Sequence, residues 1–277
     1  MIPCYCFRMK TEDIKGFYET YGDRIVEKRL NSPYPLRRYA HRMGYETVAK
    51  FVKPGETVLD AGCGEGVLSW YLAERGAKVT AMDISKPNIE NARAFLEKKG
   101  ALDRVTVMLG DAENLPFPDA SFDWVVSSHV LEHLPDFDRG LAEIRRVTKK
   151  RAIVALPTCL NLAGAAQLGG ADFWRPSLRG LLAVPWGLFR ILLNLGREGV
   201  QEGYAGVGEL PHVWRFPWVM RRRLKHGGFR IARFEAGTIM LPYLNLFLPL
   251  VKLLDRIKHW PILRNFGYGS VAVLEKV

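Results

Sequence analysis

Three glycines at alternate positions, Gly62, Gly64 and Gly66, follow a short apolar stretch that ends in Asp60. Because glycine has no Cβ atom, the backbone can bend sharply there, and a ligand can lie almost against the main chain. A helix predicted to begin at Val67 would point its first N–H groups at that ligand, as in nucleotide-type sites. The dinucleotide-binding pattern would need glycine or alanine at Val67, so a pyrophosphate ligand is less favoured. A tight strand-to-helix turn that binds nothing is the alternative.

Two further acids stand at the ends of predicted strands. Asp83 ends the strand predicted for 77–82, at the distance beyond the glycine loop where an acid can accept hydrogen bonds from both hydroxyls of a ribose. Asp111 follows the strand predicted for 105–109, and capping of a loop is the alternative role for its side chain.

A predicted strand that ends at Ser128 is followed by His129, Glu132 and His133. The two histidines are four residues apart and could share one face of a helix, which would suit zinc binding or acid–base chemistry. The spacing H-E-x-x-H is absent, so we expect no metal, and we expect structural or ligand-lining roles. His212, which precedes the penultimate predicted helix, is the first candidate for a catalytic base, before His129 and His133. A surface histidine is the alternative for His212.

The segment 128–135 reads SHVLEHLP and resembles the fourth motif of the type 11 group of class I S-adenosylmethionine (SAM)-dependent methyltransferases, which includes the quinone-methylating enzymes. Asp60 with the glycine loop, Asp83 and Asp111 are similar to the three earlier motifs and stand in the same order. The resemblance implies that SAM is the cofactor, with Asp83 at the ribose and Asp111 at the adenine amino group. It implies these cofactor-lining residues: Asp60, Gly62, Cys63, Gly64, Gly66, Asp83, Ile84, Asp111, Ala112, Ser128, Tyr18 and Tyr21.

Two departures from related patterns limit what the resemblance implies. Enzymes that methylate the amino groups of nucleobases usually carry Asn or Asp, two prolines and an aromatic residue where this chain has SSHV at 127–130. This counts against base methylation. Before the fifth strand the family usually has a proline-glycine-glycine turn, whereas this chain has TKKR at 148–151. That turn lies at the edge away from the cofactor, so the expected SAM site is unaffected.

The elements that must position these residues alternate between apolar strands and amphipathic helices. The predicted fold is α/β: a Rossmann-like seven-stranded, mostly parallel sheet with an antiparallel last strand, helices on both faces and two apolar insertions at the carboxyl edge. The predicted organisation is a helical N-terminal cover (1–52), a SAM-binding core (53–157), an apolar insertion or cap (158–210), the continued core (211–236), a second apolar insertion (237–268) and the final strand (269–277).

The first predicted helix, 11–30, has apolar residues at helical spacing and would lie over the site. By resemblance to related methyltransferases, Tyr18 and Tyr21 would cover SAM with their rings. Simple packing of an apolar stripe is the alternative.

The second predicted helix, 36–52, begins with Arg37, Arg38 and His41. Cations at a helix start oppose the helix dipole unless an anion uses them. These residues are therefore candidates for binding an anionic group of the substrate, with a solvated basic face as the alternative.

The two insertions are unusually apolar, but neither contains the roughly 20 uninterrupted apolar residues that a membrane-spanning helix needs. Arg179, Pro185 and Arg190 divide the first, and Pro242 and Pro249 break the second. Both leave the sheet at the edge that holds the ligand, so we expect a joint cap over a large apolar pocket. Cations near the insertions favour a monotopic surface on an anionic membrane: Arg179, Arg190, Arg197, Lys252, Arg256, Lys258 and Arg264. A lid packed on itself or on a second subunit is the alternative.

The composition suits one globular catalytic domain. The chain has 277 residues, of which 48% are hydrophobic, and its formal net charge of +11 should attract anionic partners. The 4 cysteines include no C-x-x-C pair, which indicates a reducing compartment and argues against a disulfide framework. No cleavable signal is visible, so we expect a cytoplasmic protein, with peripheral membrane attachment as a further expectation.

Together, the resemblance and the insertions predict a SAM-dependent methyltransferase that acts on a hydrophobic or lipid-linked acceptor at a membrane surface. Three alternatives stay open. They are a cytosolic small-molecule or quinone methyltransferase, a non-enzymatic SAM-binding regulator, and an RNA methyltransferase that uses Arg221, Arg222, Arg223 and Lys225 as a phosphate track. Nucleic acid is the less favoured partner.

Overall fold

The computed structural model describes residues 11–22, 26–171, 174, 177–202, 212–243 and 245–277. Its strands, in chain order, are β1 (Thr57–Ala61), β2 (Lys78–Asp83), β3 (Val105–Leu109), β4 (Phe122–Ser128), β5 (Thr148–Leu156), β6 (Gly199–Glu202), β7 (His212–Arg215), β8 (Phe229–Ala236) and β9 (Ser270–Lys276). Seven of them form one sheet in the order β3-β2-β1-β4-β5-β9-β8, with β9 antiparallel to both neighbours. This confirms the predicted sheet. The antiparallel pair of β6 and β7 was not predicted.

The helices of the described residues are α1 (Thr11–Thr20), α2 (Pro35–Ala49), α3 (Val67–Glu74), α4 (Lys86–Lys98), α5 (Phe137–Val147), α6 (Leu162–Leu168), α7 (Leu178–Leu193), α8 (Pro217–His226) and α9 (Leu248–Arg256). The helix predicted for 11–30 is divided: α1 ends at Thr20, and a short π-helical turn, Val26–Leu30, follows it. The second helix begins with Pro35, whose fixed φ and missing N–H suit a first helical position.

The core lies on both faces of the sheet because successive strand residues point to opposite sides. In β4, Trp124 and Val126 join the cluster that packs under α2, α3 and α4, whereas Val125 joins the cluster under α5 and α8. Parallel strands that are buried on both faces have nearly continuous apolar sequences, and this pattern made them predictable.

The two insertions meet each other and α2. Buried residues of α6, of α2 and of the segment around Met240 form one apolar cluster together with Trp174 and Val251. Asn245 joins the same elements, since its side-chain amide donates to the carbonyl oxygen of Trp174 at 3.3 Å and its side-chain oxygen accepts from the N–H of Leu36 at 3.3 Å. The insertions therefore lie at the end of the sheet that α2 covers.

Helix α7 contains Pro185 and nevertheless runs without a break from Leu178 to Leu193. Pro185 lies on the exposed face of α7, where solvent can hydrate the carbonyl oxygen that loses its N–H partner. In the described part of the chain, no helix has both the length and the apolar character needed to cross a bilayer.

Candidate active site

The glycine loop between β1 and α3 opens into a first cavity of about 210 Å³, here called the glycine-loop cleft. Most of the residues predicted to bind the cofactor line this cleft: Asp60, Gly62, Cys63, Gly64, Asp83, Ile84, Asp111, Ala112, Ser128, Tyr18 and Tyr21. They come from the carboxyl ends of neighbouring strands, from α1 and from the residue that follows α1, so sequence spacing and sheet topology both contribute to the assembly.

Gly62 and Gly66 have different structural reasons for being glycine. Gly62 has φ of 89°, and a Cβ there would collide with the γ-methyl groups of Val130. Gly66 also has positive φ, but a Cβ on it would face Ala92 of α4 at 3.2 Å, away from the cleft. Gly66, which was predicted to bind the cofactor, is not among the residues that line the cleft, and its lack of a Cβ permits close packing of α3 on α4.

Asp83 holds the glycine loop at the end of β2. Its Oδ2 accepts a hydrogen bond from the N–H of Gly64 at 2.8 Å, and its Oδ1 accepts one from the N–H of Ser85 at 2.9 Å. A side chain fixed on both sides presents its remaining lone pairs in a defined direction, which suits recognition of a ribose.

Asp60 is buried under the loop, and the hydroxyl of Ser69 donates to its Oδ2 at 2.6 Å. Burial raises the pKa of Asp60 to about 7, although the hydrogen bond from Ser69 opposes the shift. Burial also raises the pKa of the Cys63 thiol. Cys63 consequently stays a protonated lining residue and is unsuited to act as a nucleophile.

Helix α1 closes the cleft from above. Lys15 binds Asp111 at 2.6 Å and Glu113 at 2.9 Å, while Tyr18 and Tyr21 line the cleft with their ring centroids 6.1 Å apart. Lys15 was not predicted as a site residue, although its position one turn before Tyr18 was a usable signal. Three carboxylates and a cover of aromatic rings suit a cationic ligand with a ribose, so the residues present fit SAM, whose sulfonium is positively charged.

A second cavity of about 470 Å³, here called the histidine cleft, adjoins the first. Ser128, His129 and His133 line both clefts, together with Arg29 and Tyr45. His212 lines the histidine cleft but not the glycine-loop cleft. The three histidines predicted as catalytic candidates thus lie together, at and beyond the boundary between the clefts.

The segment after β4 is a turn, so the suggestion that His129 and His133 share a helix face is wrong. His129 has φ of 58°, a left-handed conformation that is uncommon for a residue with a side chain and that concentrates at functional sites. Its Nδ1 lies 3.3 Å from Oε1 of Glu132, and its Nε2 edge lies beside Gly269, which lines the histidine cleft.

Glu132 and His133 form the buried part of this turn. His133 Nδ1 hydrogen-bonds the hydroxyl of Tyr18 at 2.8 Å, and its ring stacks on His212 with centroids 4.7 Å apart. Burial lowers the pKa of His133 to about 4, although Glu132 opposes the shift. Burial disfavours the charged form of Glu132, but the contact with His129 and the charges of His133, His129 and His212 outweigh it and lower its pKa to about 2.

Of the cations predicted at the start of α2, Arg37 and His41 line the histidine cleft. The guanidinium of Arg37 lies over the ring of Trp174, 5.2 Å from its centroid. Arg38 points elsewhere and donates to the carbonyl oxygen of Ser32 at 2.5 Å, so its assignment to the substrate is corrected. Burial, followed by the charges of Arg29 and Arg37, lowers the pKa of His41, which leaves it neutral.

Comparison with known proteins adds three findings. A family model described as a methyltransferase domain matches residues 59–156. The 2-phytyl-1,4-naphtoquinone methyltransferase of Trichormus variabilis is 31% identical over 216 residues, covering 75% of this chain and 85% of the relative. The malonyl-[acyl-carrier protein] O-methyltransferase of Serratia marcescens is 38% identical over 122 residues, which is 44% of each chain. The chain spans about half the length, or less, of several curated relatives that it matches.

Solved structures show the same fold at low identity. Magnesium protoporphyrin IX methyltransferase from Synechocystis PCC 6803, with bound SAH, superposes with a TM-score of 0.54 and 19% identity over 98% of this chain and 96% of that one. This likeness supports the fold alone.

Proposed function

This chain belongs to the class I SAM-dependent methyltransferases, with SAM as the cofactor, and from that premise we propose that it methylates a hydrophobic or lipid-linked acceptor at a membrane surface. The observation that carries the proposal is the pair of adjoining clefts. The glycine-loop cleft suits SAM, and the larger histidine cleft shares Ser128, His129 and His133 with it. An acceptor in the second cleft would lie next to the methyl group.

When bound, SAM would supply a methyl group on a sulfonium: the acceptor atom would form a bond to the methyl carbon in line with the C–S bond, and the neutral thioether would leave with the electron pair of that bond. Catalysis is then chiefly alignment of the two reactants. Where the acceptor atom must lose a proton, we propose His129 as the base, and the contact of its Nδ1 with Glu132, which leaves Nε2 at the histidine cleft, supports this role. His133 uses Nδ1 to hydrogen-bond Tyr18, and His212 does not line the glycine-loop cleft that would hold SAM.

The acceptor in this proposal carries an anionic group beside Arg37 and Arg29. Both guanidiniums belong to residues that line the histidine cleft, and a planar guanidinium binds carboxylate or phosphate oxygens in pairs. A relative of this chain is named for 2-phytyl-1,4-naphtoquinone and another for malonyl-[acyl-carrier protein], so acceptors of different chemistry occur among its relatives.

Arg37→Gln tests the anionic group, with the neighbouring Arg38→Gln as the matched control. We expect Arg37→Gln to raise the acceptor KM at least tenfold with an unchanged SAM Kd, since a hydrogen bond to a charged group contributes about 1.5–3 kcal/mol. Arg38→Gln should leave the acceptor KM within twofold, because its side chain is committed to Ser32. Equal KM values for both variants would remove the anionic group from the proposal.

Membrane attachment is proposed from the unusual packing of α7. The face of α7 that packs inward contains Gly180, Ala183, Gly187 and Ile191, whereas its large side chains point to solvent. The exposed ones are Leu178, Leu181, Leu182, Trp186, Leu188, Phe189, Leu192 and Leu193. A helix of a globular protein normally buries its large apolar face, so an exposed one supports a partner that is itself apolar.

Exposed cations in the two insertions support an anionic bilayer as that partner. Arg179, Arg197, Lys252 and Arg256 are exposed. Lys258, which the sequence analysis counted with them, is buried and donates to the hydroxyl of Thr47 and to a backbone carbonyl oxygen, each at 2.6 Å. The remaining cations and the net charge of +11 suit an anionic interface.

The basic run of α8 offers little support for the RNA alternative. Arg221 donates to the side chain of Asn265 at 2.8 Å, and Arg223 is engaged by Asp138 at 3.0 Å and Glu198 at 2.7 Å. Two members of the predicted phosphate track are therefore bound by other side chains of the protein, so the row of cations available to a phosphate backbone is interrupted.

The proposed function is tested by incubating the protein and methyl-labelled SAM with a lipid extract and, separately, with an RNA fraction. We expect label in the lipid fraction, whereas label confined to RNA or absent from both would refute the proposal. Vesicles of phosphatidylglycerol test the attachment. Leu182→Ser with Trp186→Ser should reduce vesicle binding, and Leu102→Ser, an exposed leucine after α4, should not. Equal binding by all three proteins would refute attachment through α7.

A further inference from the structure

Three side chains that can bind a metal converge on the wall of the histidine cleft: Glu132, His133 and His212. One ligand atom of each lies within 4.8 Å of the others. Glu132 and His133 belong to the turn after β4, whereas His212 begins β7. The sequence-based expectation of no metal considered spacing along the chain, and that spacing could not show a ligand from a distant segment.

Glu132 is the first independent observation that a cation belongs here. The residue is 3% exposed, and neither carboxylate oxygen has a hydrogen-bond partner among the described residues. Its contacts are with imidazoles, at 3.3 Å from Nδ1 of His129 and 4.0 Å from Nε2 of His133. These contacts pair the carboxylate with imidazoles alone, and a metal ion among them would add the coordination that a buried carboxylate otherwise obtains from hydrogen bonds.

Arg215 is the competing cation and does not replace a metal. Its guanidinium is buried over the ring of Phe137, 4.4 Å from the centroid. Within the described part of the chain it makes no ion pair with Glu132 at 4.0 Å or less. Glu132 thus retains oxygen lone pairs that face the two imidazoles.

His133 shows the second feature of a metal ligand. A ligating histidine usually binds the metal with one ring nitrogen and an oxygen-bearing group with the other, which fixes its orientation. The hydroxyl of Tyr18 occupies Nδ1 of His133 at 2.8 Å, so Nε2 is the nitrogen that faces Glu132. His212 stacks on this ring at an interplanar angle of 20°, which keeps both imidazoles at the same wall.

We propose that Glu132, His133 and His212 bind one divalent transition-metal ion, Zn²⁺ or an ion of similar preference, with an open coordination position toward the histidine cleft. Two imidazoles and a carboxylate are a ligand set that such ions accept, and three protein ligands leave room for water or substrate oxygen. Metal binding goes beyond the proposed function and does not depend on it.

The role of the ion in catalysis does rest on the proposed function. An acceptor hydroxyl at the open position would be polarised, so its proton would leave more readily, for Nε2 of His129. The oxygen would then form a bond to the methyl carbon as the C–S bond breaks and its electron pair returns to sulfur. A hydroxyl-bearing acceptor is the substrate class that uses such an ion.

The test uses the whole protein after dialysis against a chelator, titrated with Zn²⁺ by calorimetry and with Co²⁺ by visible spectroscopy. We expect one equivalent to bind and a Co²⁺ spectrum of nitrogen and oxygen ligands. His212→Ala should abolish the stoichiometric site, whereas His259→Ala, an exposed histidine after α9, should retain it. Tyr18→Phe should weaken binding by about 10- to 100-fold, the usual effect of removing a group that orients a ligand.

Several results would overturn the metal site. They are the absence of an equivalent that binds to the wild-type protein, equal binding by His212→Ala and wild type, and a thiolate-to-cobalt band that places the ion on a cysteine. X-ray absorption of the zinc-loaded wild type, which needs no variant to fold, should show nitrogen and oxygen neighbours only. The labelled-methyl assay is separate, so failure of the metal site and failure of methyl transfer are distinguishable.

Discussion

The carboxylates of the glycine-loop cleft differ in how the protein holds them. Asp83 accepts backbone hydrogen bonds on both oxygens, Asp111 is bound by Lys15, and Asp60 is buried beside Ser69. Three aspartate side chains therefore have three different environments within one site. Each environment gives a different expected response to substitution or pH.

Replacing Asp83 by Asn should weaken SAM binding by about 10- to 100-fold, because a hydrogen bond to a charged group contributes about 1.5–3 kcal/mol. Calorimetric titration with SAM measures the change. Asp103→Asn, an exposed acid at the other end of the sheet, should leave the affinity unaltered. If Asp83→Asn binds SAM as tightly as wild type, Asp83 is not the ribose ligand.

Asp60 should make stability depend on pH. Its pKa is about 7 in the folded protein and about 4 when unfolded, so between these values the folded state binds more protons. The free energy of unfolding therefore contains a contribution that falls as pH rises from about 4 to about 7. Asp60→Asn should remove this decrease. Urea unfolding of both proteins without SAM at pH 5 and pH 8 measures it, and equal decreases in both would contradict the assignment.

Residues that lie near a strand end in sequence could be predicted, and residues brought in by tertiary packing could not. Asp60, Asp83 and Asp111 were predicted because sheet topology alone brings strand ends together. Arg29 and Trp174 line the histidine cleft only because the π-helical turn and the first insertion fold onto it. No periodicity or motif identifies such residues, and the same holds for His212 as a neighbour of Glu132.

At the scale of elements, the tight contact of α6 with α7 determines which face of α7 is exposed. A Cβ added to Gly187 would collide with the carbonyl group of Ala165, and one added to Gly169 would collide with that of Ala183. The small residues let the two backbones approach. The large side chains of α7 must then point away from α6, into solvent or a partner.

Gly187→Ala should lower the free energy of unfolding by about 1–3 kcal/mol, the usual cost of overpacking. Gly196→Ala is the matched control, since nothing lies within 4 Å of a Cβ at that position. Urea unfolding compares the two variants with wild type. A Gly187→Ala protein as stable as Gly196→Ala would show that the α6–α7 contact is looser than described.

Sequence periodicity predicted the sheet and most of its flanking helices but misjudged three segments. The helix predicted for 11–30 is divided, since α1 ends at Thr20 and a π-helical turn follows it. Residues 129–135 form a turn, since His129 adopts a left-handed conformation that no helical pattern anticipates. The pair of β6 and β7 lies inside an insertion that the sequence described only as apolar.

At the scale of the whole molecule, a net charge of +11 and an exposed apolar face act over different distances. Charge attracts an anionic surface over about 10 Å at 0.1 M salt and about 3 Å at 1 M salt. Apolar contact needs direct insertion and is insensitive to salt.

Vesicle binding should therefore weaken strongly between 0.1 M and 1 M salt, because each basic residue near the surface loses binding free energy on the order of 1 kcal/mol. The apolar contact should leave a residual affinity at 1 M salt. Co-sedimentation with phosphatidylglycerol vesicles measures this. The SAM affinity, which depends on enclosed groups, should change far less. Binding that is unaffected by salt would exclude a contribution from the exposed cations.

Tyr18 belongs to two sites at once, since its ring lines the glycine-loop cleft and its hydroxyl binds His133. We expect α1 to move when the cofactor is exchanged, because it covers the glycine-loop cleft, and that movement would break the contact between Tyr18 and His133. This predicts an ordered sequential mechanism in which SAM enters first and its demethylated product leaves last. In product-inhibition kinetics, the demethylated product of SAM should then be a competitive inhibitor toward SAM and a noncompetitive inhibitor toward the acceptor.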